Sequence, residues 1–363
     1  MLDYFDAFAA RYQPYKNGAW CYEDGCIYRG LELLYGTTGE TRWKDHLVRL
    51  ASAQVGPDGT LAGYDPEDYN IDNILSGRVL FALDRWTGDP RWLAAADRLG
   101  AQLARHPRTA GGSYWHKKIY PQQVWLDGLY MGLPFQIQLA QHRKDQRAVQ
   151  DALAQLAEAF QLTLRPDGLC AHAYDAVRAQ DWADPVTGQS ASAWARALGW
   201  QAMALVDCAE LVGPAAFAAA GLAAPTEALL GRLVTLQAGD GGWLQVIDMP
   251  DLPGNYTESS ATAMLAYALL SAGTHGLAPA GAGPAASAAL AFLCGKLRPV
   301  GPVGEIQLTD ICHVAGLGGF SGRYRDGSPA YYLTEQIVSD DSKGTGPLMM
   351  AAARQLQIVA QVA

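Results

Sequence analysis

Charge is scarce in this chain: only 17% of its 363 residues are Asp, Glu, Lys or Arg, and the acids outnumber the bases to leave a net charge of −9. A basic face is therefore missing, and with it the usual means of holding nucleic acid or an anionic membrane. No apolar stretch reaches about 18 residues without a charge or a break, so no membrane span is expected. The start, Met1-Leu-Asp-Tyr-Phe-Asp-Ala-Phe8, has neither the basic n-region nor the long apolar run of a signal peptide, and a soluble, cytoplasmic protein is expected. The six cysteines (Cys21, Cys26, Cys170, Cys208, Cys294, Cys312) lack zinc-ligand spacing. Cys21 and Cys26 share a short segment, but nothing else completes a metal site, so buried free thiols are the expectation. A Gly-rich phosphate loop, a Ser/His/Asp elbow and an HExxH motif are also missing. Neither a metal nor a cofactor is expected.

What is present is half apolar and strongly helical in its periodicity. The pattern predicts helices over 2–12, 25–36, 40–54, 72–87, 90–106, 123–142, 145–164, 192–212, 225–238, 258–273, 284–298 and 341–361. Thr87-Gly-Asp-Pro90 ends one and opens the next. The Ala/Gly/Pro-rich stretch 279–289 reads as a loose connector. A recurrent loop joins a Gly turn to an aromatic: Gly56-Pro-Asp-Gly-Thr-Leu-Ala-Gly-Tyr64, Ala110-Gly-Gly-Ser-Tyr-Trp115, Arg165-Pro-Asp-Gly-Leu-Cys-Ala-His-Ala-Tyr174 and Gly239-Asp-Gly-Gly-Trp243. Twelve helices punctuated this way predict an all-α fold, six helical hairpins closed into an (α/α)6 barrel, as a single domain over 1–363 with little sheet. An open solenoid is the competing architecture, and it normally presents a concave protein-binding face. Ten Trp and seventeen Tyr, concentrated in loops and at helix starts, fit a sugar-stacking pocket better.

The most informative segment is Gln123-Val-Trp-Leu-Asp127-Gly-Leu-Tyr-Met-Gly132. Its carboxylate lies between Trp125 and Tyr130, in partly desolvated company. Asp72-Asn-Ile-Leu-Ser-Gly77 repeats the same Asp-x-aliphatic-x-x-Gly pattern. An acid in a first helical turn is commonly there only to complement the helix dipole. Two acids on equivalent segments point further, to a carboxylate pair across a pocket, as in sugar-processing enzymes.

Further ordered segments extend the pattern: Trp20-Cys-Tyr-Glu-Asp-Gly25, Tyr69-Asn-Ile-Asp72-Asn, Trp115-His-Lys-Lys-Ile-Tyr-Pro121, His172-Ala-Tyr-Asp175, Trp194-Ala-Arg196-Ala-Leu-Gly-Trp200, Glu258-Ser-Ser-Ala-Thr-Ala-Met264, Cys312-His-Val-Ala-Gly-Leu-Gly318 and Ser339-Asp-Asp-Ser-Lys-Gly-Thr-Gly346. In this order they make the chain resemble the unsaturated rhamnogalacturonyl hydrolases of glycoside hydrolase family 105 and, more distantly, family 88. The resemblance implies an (α/α)6 barrel. It implies hydrolysis of the small anionic oligosaccharides left by polysaccharide lyases, whose non-reducing end is a 4,5-unsaturated uronic acid. The expected product set is that of pectin degradation, with unsaturated galacturonyl-rhamnose as substrate; unsaturated glucuronyl disaccharides are the alternative. It further implies Asp127 as general acid/base, Asp72 as second essential carboxylate, and His172, Trp194, Arg196 and Trp200 as pocket residues. Where the family usually has Arg-Gly-Asn-Gly-Trp, this chain has Arg196-Ala-Leu-Gly-Trp200, a departure that bears on substrate preference.

The implied chemistry is hydration of an enol ether, which needs a carboxyl that still holds its proton near neutrality. An Asp ordinarily titrates at about 3.9. The apolar walls of Trp125 and Tyr130, and repulsion from an ionised Asp72, are the expected means of holding the proton on Asp127. His116 and Lys117, beside Lys118, form the one small basic cluster next to an aromatic and are expected at the mouth. Tyr22 and Trp20 are expected to add stacking surface there, with core packing as the alternative. Arg196, between two Trp residues, needs an acid partner from protein or substrate. Asp340-Asp341 reads as the cap of the last helix. Two other classes remain: an inactive sugar-binding module, opposed by the paired acids, and a helical scaffold, opposed by the Trp-rich loops.

Overall fold

The inner helices of this protein are apolar on every side, and the outer ones on one face only. From Ser259 to Ala272 every residue is buried, and from Ala195 to Ala209 likewise, as expected of helices surrounded by other helices. By contrast, Arg91–Arg105 buries Trp92, Ala95, Ala96, Leu99 and Leu103 along a single stripe and leaves its other face to solvent. The computed structural model describes residues 1–362.

The helices are α1 (Leu2–Arg11), α2 (Tyr22–Thr38), α3 (Thr41–Ser52), α4 (Leu80–Thr87), α5 (Arg91–Arg105), α6 (Leu126–Arg143), α7 (Gln146–Thr163), α8 (Ala195–Val212), α9 (Pro214–Ala219), α10 (Ala223–Thr235), α11 (Ser259–Thr274), α12 (Ala282–Lys296), α13 (Pro329–Tyr332) and α14 (Ser342–Val362). An inner ring runs α2, the 3₁₀ segment Ile71–Val79 with α4, α6, α8, α11 and α14, and α14 packs back on α2 to close it. Outside stand α3, α5, α7, α10 and α12, each packed on a helix of the ring or on its outer neighbour. The sixth outer helix is α1, whose Tyr4 and Arg11 side chains bond Asp340 just before α14 (2.6 and 2.5 Å). Close approach at the seam depends on glycine: a Cβ on Gly30 would lie 2.6 Å from Met349 Cβ, and one on Gly346 would collide with the Cys26 backbone. One apolar core runs from Tyr4 to Ala353.

The Gly-aromatic loops are tight turns closed by a short bridge, with Val55 opposite Leu61, Arg108 opposite Tyr114 and Leu164 opposite Cys170. Gly59, Gly112, Gly168 and Gly241 take positive φ in them (76°, 112°, 85° and 92°), a conformation glycine adopts without strain.

Several boundaries differ from the sequence reading. The segment 72–87 is not one α-helix: Ile71–Val79 is wound as 3₁₀ before α4 begins. Gly77 there is jammed against Phe135 and Leu99, and Ser76 donates to the Cys21 carbonyl (2.5 Å), contacts that tighten the coil. The stretch 123–125 is strand β1 (Gln123–Trp125), paired antiparallel with β2 (Ala173–Asp175). The Ala/Gly/Pro stretch is helical from Ala282, after Gly281 at φ +81°. Between α12 and α14 lie strands the periodicity did not show: β3 (Leu297–Val300) with β4 (Glu305–Leu308), β5 (Ile311–Cys312) with β8 (Ile337–Val338), and β6 (Gly318–Phe320) with β7 (Arg323–Arg325). Each is too short for a period-two pattern to register. Asp341 caps α14 by accepting from the Lys343 N–H (2.9 Å), whereas Asp340 serves Tyr4, Arg11 and the Leu308 N–H. Cys294 is exposed and the other five thiols are buried and unpaired. Among the described residues no helix is long and apolar enough to cross a membrane.

Candidate active site

The six inner segments all begin at the same end of the barrel. Tyr22 and Glu23 open α2, Asp72 the 3₁₀ segment, Asp127 α6 and Lys343 α14, and all five line one cavity of about 320 Å³. Arg196 and Ser259, at the starts of α8 and α11, lie beneath its floor around Cys312 and Asp310. The N-termini of α2, α6 and α14 at this mouth bring positive partial charge there, although the chain as a whole is acidic.

Asp127 is placed by pairing on both sides. Trp125 is extended in β1 opposite Ala173, and the Leu126 N–H bonds the His172 carbonyl (3.0 Å), so α6 starts with Asp127 beside that histidine. His172 Nε2 lies 3.1 Å from Asp127 Oδ2, and His172 Nδ1 lies 2.7 Å from the Tyr332 hydroxyl. Burial, then the neighbouring Tyr331 and Asp127, push the Tyr332 phenol well above its ordinary value. It therefore keeps its proton, and in the tautomer where that O–H donates to Nδ1 the Nε2–H donates to Asp127. His172 is fully buried, while the Asp127 side chain is 16% exposed to the cavity.

Asp72 is held differently. The Asn70 side chain accepts its backbone N–H (3.1 Å), and Lys117 Nζ sits 2.6 Å from Oδ2. Burial alone would raise this carboxyl, but Lys117 at contact distance outweighs it and holds Asp72 below the usual carboxylate range. Asp72 is thus ionised, with Oδ1 buried and lacking a hydrogen-bond partner among the described residues. Burial, against the opposing pull of Asp72, pushes His116 down to about 4, so the imidazole 3.8 Å from Asp72 is neutral at pH 7. His116 and Tyr120 both stack on Trp125 (4.4 and 4.9 Å between centroids), making an aromatic wall. One expectation changes here. Repulsion from Asp72 was expected to act on Asp127 beside the apolar walls of Trp125 and Tyr130, but Lys117 opposes that charge at contact distance.

Of the residues singled out in sequence, Asp72, Asp127, His116, Lys117, Trp125 and Tyr22 line the cavity. His172 stands one layer behind, against Asp127. Trp194, Arg196 and Trp200 do not line it. Arg196 is 1% exposed and lies under the loop over α8, donating to Ser260 Oγ (2.8 Å) and to the Cys312 and His313 carbonyls. Its acid is the protein's own Glu258 at 3.5 Å. Trp194 packs flat on Tyr332 and donates to Gln245 Oε1 (3.1 Å). Trp200, a turn deeper along α8, stacks on Tyr130 in the barrel core. Ala197 and Leu198, the departure from the family's usual motif, are fully buried in α8. The placements follow from helix direction: α8 enters from a floor already covered by residues 312–315.

Sequence reasoning passed over several residues at the cavity. Glu23 and Tyr120 lie inside segments already singled out, and Lys343 inside Ser339–Gly346. Arg325 and Phe320 at the cavity, and Tyr332 behind His172, come from Gly318–Tyr332, where glycines beside paired tyrosines were the available signal.

The sequence profile of Glycosyl Hydrolase Family 88 matches residues 5–359. A family 105 glycoside hydrolase from C. acetobutylicum ATCC 824 superposes with a TM-score of 0.87 at 35% identity, covering 93% of each chain. Protein Atu3128 of Agrobacterium fabrum is 49% identical over 62% of this chain and 98% of its own length. The unsaturated rhamnogalacturonyl hydrolase YesR of Bacillus subtilis is 27% identical over 70% of this chain and 71% of its own. With its barrel closed by α14 and two carboxylates at the mouth, the chain belongs to the glycosyl hydrolases of families 88 and 105, and is a glycosidase.

Proposed function

We propose that this glycosidase releases a 4,5-unsaturated uronic acid from the non-reducing end of lyase-generated oligosaccharides, with unsaturated galacturonyl-rhamnose as substrate. The observation that carries this reading is the asymmetry of the two carboxylates. Among the described residues Asp127 is hydrogen-bonded only by His172 and is open to the cavity, whereas Asp72 is locked as an anion by Lys117. Direct displacement at an anomeric carbon needs two acids acting on that carbon. Enol-ether hydration needs one proton donor and a fixed negative charge near the cation that forms. Substrate preference is supported by the name of YesR, whose likeness runs over 70% of this chain.

In this reaction Asp127 gives its proton to C4 and the double-bond electrons leave a cation shared between C5 and the ring oxygen. The anionic Asp72 stabilises that cation. Water then bonds to C5, and its spare proton returns to the Asp127 carboxylate, which resets the acid. The C5 hemiketal opens to a ketone, the ring oxygen takes up a proton, and the resulting hemiacetal at C1 releases the rhamnose as a free sugar. His172 keeps Asp127 oriented throughout, and the Trp125 wall shields the site from bulk water.

The test is turnover of a panel of lyase-generated disaccharides, followed by loss of double-bond ultraviolet absorbance. In heavy-oxygen water the label is expected at C5 of the released uronate. Label at the uronate's anomeric carbon would refute hydration, and no turnover of any unsaturated disaccharide would refute the activity.

A further inference from the structure

Four permanently cationic side chains line the cavity, and three are already neutralised. Lys16 pairs with Glu23 (3.3 Å), Lys117 with Asp72 (2.6 Å) and Lys343 with Asp341 (2.7 Å). Arg325 is the exception. It is 6% exposed, yet among the described residues no carboxylate lies within 4.0 Å of its guanidinium. Its contacts are neutral acceptors: Nε to the Gly318 carbonyl (3.3 Å), and Nη2 to the Leu317 carbonyl and the Tyr120 hydroxyl (both 2.9 Å). Nη1 has no hydrogen-bond acceptor among the described residues.

The surroundings hold the group in one orientation. Arg325 is opposite Gly318 at the base of the β6–β7 hairpin, and the Phe320 ring lies 4.8 Å from its Cζ. On the other side the backbone of Gly316 presses against the guanidinium: a Cβ there would collide with Nη1 and sit 2.7 Å from Cζ. Gly316 is itself tied down by its N–H to the Tyr331 hydroxyl (3.0 Å). Through Tyr120, Arg325 connects to the Trp125–His116 wall of the same cavity. A buried cation without a counter-charge is costly unless an anion joins it, and a guanidinium with a spare edge suits a carboxylate.

We infer that Arg325 is the substrate-binding residue that takes the carboxylate of the unsaturated uronate. This rests on the activity proposed above and adds the origin of its demand for an acid. Arg196, already paired with Glu258, is not available for that role, and neither is Lys117.

The experiment compares wild type, Arg325→Gln and Arg325→Lys on unsaturated galacturonyl-rhamnose and on the same disaccharide with its uronate methyl-esterified. Esterification changes the reactivity of the double bond, but equally for every variant, so the acid-to-ester ratio of kcat/KM isolates recognition of the charge. Arg325→Gln is expected to lose roughly 10- to 100-fold on the acid, the range for a charge-assisted hydrogen-bond pair, and less than about threefold on the ester. Arg325→Lys, which keeps the charge without the fork, falls between, and covers the case in which the Gln variant fails to fold. A purely structural Arg325 would lower both substrates together. That result, or an unchanged ratio, overturns the assignment. If wild type turns over neither compound, the activity reading fails first; tryptophan-fluorescence titration with the same pair then decides Arg325. Wild-type preference for the acid that Arg325→Gln abolishes supports it, and no such preference refutes it.

Discussion

Asp127 is oriented by the His172–Tyr332 pair, and Asp72 is charge-locked by Lys117. Asp127→Asn is expected to abolish turnover while leaving disaccharide binding within a fewfold of wild type, because the amide keeps the shape but has no acidic proton; isothermal titration beside a rate assay reads this directly. Asp72→Asn removes the anion and leaves Lys117 unpaired at the site, so the local potential turns positive. The alkaline limb of the pH–rate profile should then move to lower pH, along with a large fall in kcat. Tyr332→Phe is gentler. It removes the hydroxyl that fixes the His172 tautomer, and a roughly 10-fold or larger loss in kcat with KM little changed is expected. An equal loss in KM would instead mark Tyr332 as a substrate contact. Both aspartates were legible because acid, aromatic and glycine recur at fixed local spacing. Tyr332 was not, since its meaning depends on a histidine distant in the chain.

At the scale of elements, the inner–outer alternation was written in the periodicity. An all-round apolar run such as Ser259–Ala272 has to be surrounded, and a one-sided stripe such as that of α5 has to face inward. The seam between α2 and α14 tests this packing. Gly346→Ala sets a methyl against the Cys26 backbone, which cannot rotate away as a side chain would. A loss of roughly 1–3 kcal/mol or more in denaturant unfolding is expected, whereas Gly36→Ala on α2, where a Cβ meets nothing within 4 Å, should stabilise slightly. The 3₁₀ winding of Ile71–Val79 was illegible for the converse reason. Its residues have ordinary helical character, and only the contacts of Ser76 and Gly77 tighten it.

For the whole molecule, closure of the ring makes the site depend on segments from both ends of the chain, from Tyr15 to Lys343. The fold also buries titratable groups away from water. His106 and His116 are both pushed down to about 4, chiefly by burial, from an ordinary 6.5. Between those values the unfolded chain binds protons that the folded chain refuses, so stability falls as pH drops through that window and is fully present above it. Melting temperatures measured from pH 7 down to pH 4 should decline accordingly, and His106→Gln should flatten the decline even if it lowers the starting value. A profile without that slope would contradict the neutral, buried state of both rings.

The chain by itself determined which segments are helical, which helices are surrounded, where glycine turns recur and which two acids stand at equivalent helix starts. Those properties arise from interactions between near neighbours, whose spacing is visible in one dimension. Tertiary structure decided that Lys117 neutralises Asp72, that Glu258 rather than a ligand satisfies Arg196, that Trp200 is core, and that Arg325 meets the cavity unpaired. Ion pairing and exposure depend on which distant residues arrive at a few ångströms, and only closure of the ring settles that.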